Sequence, residues 1–135
     1  MCVAILPFFF LMIRLPPIST LFPYTTLFRS KWNASTLKER SASQEHFIDL
    51  CNLLGHQTPA AADPDGEWFT LEKGATKTGG GNGWADVWKK GCFAWEYKGK
   101  HKVLDAAFKQ LQRYAIDLEN PQLLVVSYMK RFILN

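Results

Sequence analysis

The chain has 135 residues, about one small domain's worth. With 47% hydrophobic and 14% aromatic residues it has the material for a core, which excludes a disordered chain. The formal charge is +4 and the isoelectric point near 9.0, but Arg14 and Arg29 supply half of that charge from an N-terminal stretch without acids; what remains is compatible with DNA and does not demand it.

The chain opens on a mostly apolar run, Met1 to Ile13. It is too short for a spanning helix, which needs about 20 such residues. No basic residue precedes it and no small-x-small cleavage site follows, so it does not read as an export signal. Pro16, Pro17 and Pro23 come next. Residues 12–30, MIRLPPISTLFPYTTLFRS, resemble the translated DNA of a common short-read sequencing adapter. That translation would carry Arg where Leu15 and Ile18 stand. The resemblance implies that residues 1–30 are an adapter-derived artefact and no domain, and that the domain is 31–135.

Beyond Lys31 the elements follow in order. Ser41 or Ser43 caps a helix in which Phe47, Leu50, Cys51 and Leu54 recur at three- and four-residue spacing, with Gly55 ending it. Thr58 to Gly66, with two prolines, two aspartates and a glycine, is a loop. Glu67 to Glu72 is aromatic-rich and predicts a strand. Lys73 to Gly83 holds five glycines and predicts a turn-rich loop, but it lacks the G-x-x-x-x-G-K-[ST] register of a phosphate-binding loop. Trp84–Lys89 and Cys92–Lys98 predict two strands joined by a tight turn at Lys90-Gly91. Val103 to Glu119 is the best helix, with Leu104, Ala107, Phe108, Leu111, Ala115 and Leu118 as its apolar stripe and Asn120-Pro121 as its stop. Leu123 to Val126 is a continuous apolar run, the pattern of a strand buried on both faces. The fold class is α/β, a mixed sheet in the order helix–three strands–helix–strand. Cys2, Cys51 and Cys92 show no CxxC spacing and no neighbouring histidines, so free thiols in a reducing compartment are expected.

The residues that carry chemistry are Asp86, Glu96 and Lys98. Side chains alternate along a strand, so Glu96 and Lys98 share one face while Trp95 and Tyr97 take the other. Nine residues separate Asp86 from Glu96, and the hairpin brings the two carboxylates together. Two carboxylates on adjacent strands suit a hard, oxygen-seeking cation such as Mg²⁺, which polarises a phosphodiester oxygen and acidifies bound water. Glu and Lys on a strand are more often a solvated face; here the strands around them are rich in Trp, Phe, Val and Ala. Gln110 and Tyr114 lie one helical turn apart and reach the same place, although taken alone they read as a solvated amide and a core-edge aromatic.

Asp86, Glu96-x-Lys98 and Gln110-x-x-x-Tyr114, in this order of elements, resemble the PD-(D/E)XK nuclease superfamily, in a branch carrying Q-x-x-x-Y. More closely, the stretches from Phe47 to His56, Glu67 to Phe69, Glu72 to Gly74, Gly83 to Gly91 and Trp95 to His101 are similar to the amino-terminal domain of MmeI-like restriction enzymes, whose single chain also holds an adenine-specific DNA methyltransferase. The resemblance implies a restriction-endonuclease-like core. Asp86 and Glu96 become metal ligands, Lys98 the catalytic lysine, Gln110 and Tyr114 supporting residues near the DNA backbone, and Glu45 an additional acid. After its last strand the family commonly reads Ser-Asp-Met; here Tyr128 replaces that Asp.

The function implied is Mg²⁺-dependent hydrolysis of duplex DNA, with Mn²⁺ as a substitute ion and transient self-association for double-strand cleavage. The setting implied is phage defence by restriction–modification in a bacterial cytoplasm, with no membrane partner. S-adenosylmethionine would serve only the methyltransferase part, before which this sequence is expected to be truncated. The alternative is a non-catalytic DNA- or partner-binding domain of a phage-defence class I S-adenosylmethionine-dependent DNA methyltransferase.

Overall fold

The computed structural model describes residues 23–36, 39–76, 82–99, 103–128 and 131–134. The opening apolar run, residues 12–22 of the adapter-like segment and the middle of the glycine-rich loop fall outside them.

Among the described residues three helices precede the sheet: α1 (Pro23–Ala34), α2 (Glu39–Leu53) and the single turn α3 (Pro59–Ala62). The expected boundary at Lys31 falls inside α1. Helix α2 begins at Glu39, so Ser41 and Ser43 lie within it and not at its cap. Gly55, at φ +67°, ends α2 in the left-handed region that suits glycine. The segment read as a loop from Thr58 holds α3, with Pro59 at its first position, where a missing N–H costs nothing. The Asp63 carboxylate that follows accepts the backbone N–H groups of Trp68 and Phe69, at 2.6 and 2.8 Å, and pins the start of the sheet.

The strands are β1 (Phe69–Thr76), β2 (Asn82–Lys89), β3 (Phe93–Tyr97), β4 (Leu123–Tyr128) and β5 (Arg131–Leu134), in the sheet order β1-β2-β3-β4-β5. Strands β1 to β3 form an antiparallel meander; β3 and β4 run parallel, linked by helix α4 (Leu104–Gln112); β4 and β5 pair antiparallel. Strand β1 starts two residues after Glu67 and extends to Thr76, into the segment expected to be loop. Helix α4 stops at Gln112 and continues to Glu119 as turns. Glu119 and Asn120 both take positive φ before Pro121, which reverses the chain into β4.

The sheet separates two apolar clusters. Phe47, Leu50, Phe69, Val87, Phe93, Trp95, Tyr97 and Val125 pack beneath α2. Ala85, Trp88, Ala94, Ala107, Leu111, Tyr114, Leu118 and Val126 pack beneath α4. Buried indoles find polar partners, as they must away from water: Trp88 Nε1–H donates to the Leu118 carbonyl at 2.9 Å and Trp95 Nε1–H to Ser127 Oγ at 2.8 Å. Cys51 is buried and free, whereas Cys92 is disulfide-bonded, against the expectation of free thiols. Among the described residues no helix is long and apolar enough to cross a membrane.

Candidate active site at an irregularity in the sheet

Asp86 and Glu96 line one cavity of about 370 Å³, and Gln110 and Tyr114 line it with them. Strand alternation explains Glu96: Phe93, Trp95 and Tyr97 join the cluster beneath α2, while Ala94 faces α4, and Glu96 follows Ala94 by two. Glu96 is 8% exposed, and Lys98 Nζ donates to its Oε1 at 2.6 Å. Lys98 thus meets the site through Glu96, its side chain one-fifth exposed. A charge-assisted bond of that length in so dry a place holds both side chains in one geometry.

Asp86 sits where regular pairing fails. The β2–β3 register runs through Lys89↔Phe93, Trp88↔Ala94 and Val87↔Trp95 and stops there. The next step would pair Asp86 with Glu96. Instead the Tyr97 backbone N–H donates to Asp86 Oδ2 at 2.6 Å. On the other side, β1 and β2 pair at Leu71↔Val87 and Lys73↔Ala85, which leaves Glu72 across from Asp86 without a ladder pair of its own. Glu72 takes φ +54°, a left-handed conformation that costs a residue with a Cβ roughly 1–2 kcal/mol. Alternation slips at the same point, because Ala85 and Trp88 both join the cluster beneath α4 while Val87 joins the other. Such irregularities re-aim side chains and concentrate beside functional sites.

Glu72 also lines the cavity, so acids from three neighbouring strands border it. Its Oε1 accepts Gln44 Nε2–H from α2 at 2.9 Å. Sequence reasoning assigned no functional role to Glu72, nor to Ser43 (read as a helix cap), Asn82, Gly83 and Trp84, which complete the lining. The signal for Glu72 was faint: nothing in an acid between Leu71 and Lys73 announces a positive φ.

From α4 and the turn after it, Gln110 Nε2–H donates to the Tyr114 hydroxyl. The Tyr114 ring is buried against the backbone of Gly83, where an added Cβ would come within 2.4 Å of Cζ. Gly83 is therefore what lets Tyr114 close over β2. Glu45 does not line the cavity; it is exposed and ion-paired with Lys31 at 2.5 Å. A second, smaller cavity of about 140 Å³ has Phe47, Cys51, Phe69, Lys89 and Trp95 in its wall and no acid. Burial there pushes the Cys51 thiol up to about 11 and lowers the Lys89 ammonium.

The donors around the larger cavity are carboxylate, amide, hydroxyl and phenol groups, which fit a hard cation. No group of three or more His, Cys, Asp or Glu that could hold a metal ion is present among the described residues. No family model matches the chain, and no curated protein or solved structure matches it.

Proposed function

We propose that this is the nuclease module of a restriction–modification DNA methyltransferase, with a restriction-endonuclease-like core of the PD-(D/E)XK kind, that hydrolyses phosphodiesters of duplex DNA with Mg²⁺. The observation that carries the reading is the shared cavity: Asp86, Glu96, Gln110 and Tyr114 come from two strands and the α4 segment to one place, with Lys98 bonded to Glu96.

Asp86 and Glu96 would hold the ion, which when bound supplies Lewis-acid polarisation of the phosphodiester and activation of water. Hydrolysis forms one P–O bond to the oxygen of water and breaks one to the sugar, and the proton of water ends on the departing alkoxide. The Lys98 ammonium is held on Glu96 Oε1, beside the place where negative charge grows during attack. The Tyr97 N–H fixes the Asp86 carboxylate in one rotamer, so little reorganisation remains when a cation arrives. Gln110 and Tyr114 offer an amide and a phenol to phosphate oxygens.

One observation favours a second reading. The Glu96–Lys98 pair already neutralises itself, as it would in a non-catalytic DNA- or partner-binding domain. Calorimetric titration with Mn²⁺ separates the two. The nuclease reading expects weak saturable binding that Asp86→Ala abolishes; binding undiminished in Asp86→Ala would move the reading to the non-catalytic domain.

A further inference from the structure

Trp84 is 61% exposed, yet it lies in the wall of the same cavity as Asp86 and Glu96. Its indole rests on β1 at Gly74, its register partner, where an added Cβ would stand 3.0 Å from Trp84 Cζ3. Glycine at position 74 lets the ring lie close against the strand. That strand backs part of the six-membered ring, and the residue as a whole stays mostly open to water. An exposed tryptophan alone means little. This one is held in place at the mouth of a polar cavity bordered by Glu72, Asp86 and Glu96, whose charges repel a phosphate backbone. Without a metal ion, stacking on the ring is a source of affinity for a nucleic acid at this point that does not depend on charge.

We propose that Trp84 is a stacking platform for a nucleobase at the cavity, so that the strand engaged there is one whose base has left its own stack, in single-stranded or locally opened DNA. The proposal rests on the nuclease reading for its choice of ligand. Base–aromatic stacking tolerates any base, because every base has a π-face, and an alanine in place of the aromatic loses about 5- to 150-fold in affinity. Trp84 would then set which nucleotides reach the carboxylates without taking part in the chemistry.

The test is fluorescence anisotropy of the full chain in EDTA, with a labelled single-stranded oligothymidine and the same strand made abasic at its centre. The wild type is expected to favour the intact strand about 5-fold or more. Trp84→Ala should lose that preference while binding the abasic strand as before, and Trp84→Phe should keep most of it. Trp84 is too exposed for its removal to open the core, and circular dichroism of both variants checks this. Equal binding of the two strands by the wild type, or an undiminished preference in Trp84→Ala, overturns the proposal. These readouts contain no metal and no cleavage step. Hydrolysis of DNA without a base preference would therefore refute the platform alone, and a base preference without hydrolysis would refute the nuclease alone.

Discussion

His46 shows how far one buried side chain constrains this protein. It is fully buried on α2, its Nδ1 lies 2.8 Å from the Tyr97 hydroxyl, and Nε2 has no hydrogen-bond partner. If Nδ1–H donates to Tyr97, the unpartnered Nε2 is only a lone pair, the less costly arrangement. Burial lowers the imidazole to about 4, with Asp49 acting against the shift and Lys31 adding to it. The folded state thus holds the ring neutral, while the unfolded chain takes up a proton below pH 6.5. Stability from this group is full above that pH and falls as pH drops toward 4, by about 3 kcal/mol in all. Urea midpoints at pH 7 and pH 4.5 should differ less in His46→Leu than in the wild type. An equal difference in both would remove His46 from the account. None of this was legible in the sequence, where nothing sets His46 apart from its neighbours on the helix.

At the scale of elements, the contact between Gly83 and Tyr114 joins strand to helix segment. Gly83→Ala places a methyl against a ring that cannot yield without leaving its hydroxyl partner Gln110. A loss of roughly 1–3 kcal/mol is expected. Tyr114→Ala in the same chain should make the Gly83→Ala penalty vanish, read as a double-mutant cycle by denaturant unfolding. Additive effects would show that the two residues do not meet. The elements themselves were largely readable. Apolar spacing gave α2 and α4, the aromatic runs gave β2 and β3, and the unbroken apolar run gave β4. Where the reading failed, tertiary contacts had overridden local signals. Glycine-rich sequence was drawn into β1 and β2 because Gly74 and Gly83 lie beneath aromatic rings. The last turns of the expected long helix bent so that the Leu118 carbonyl could meet Trp88. Glu96, Gln110 and Tyr114 were legible because alternation and helical spacing are local rules; Asp86 was reached through the hairpin, although the sheet sets it by broken pairing and not by alternation. Glu72 was not, because its place depends on a register between strands and on a backbone conformation that only the folded sheet imposes.

At the scale of the whole molecule, two apolar clusters clamp the sheet, and the cavity lies at the point where β1, β2 and β3 lose regular pairing, with Ser43 of α2 and Gln110 of α4 both in its wall. Helix α1 adds a lid of aromatics to the other side. Phe28 and Trp32 pack on His46 with ring centroids 5.2 and 4.9 Å away, and Trp32 Nε1–H donates to Asp49 at 3.1 Å. Phe28 lies within the adapter-like segment yet touches this cluster, so Phe28→Ala should cost roughly 1 kcal/mol, as expected for a partly buried phenylalanine. Thermal unfolding checks this, and an unchanged midpoint would mean that the Phe28 ring contributes nothing to stability.

Under the function proposed above, the Asp86, Glu96 and Lys98 cluster hydrolyses DNA. The most direct measurement follows nicking and linearisation of closed-circular duplex DNA by the full chain, with and without Mg²⁺, beside Asp86→Asn and Lys98→Ala proteins whose circular dichroism matches the wild type. Mg²⁺-dependent cleavage by the wild type is expected, with a loss of at least about 100-fold in each variant, the scale seen when one charge-stabilising group is removed from a catalytic site. Cleavage that persists in both variants, or that proceeds unchanged in EDTA, would contradict it.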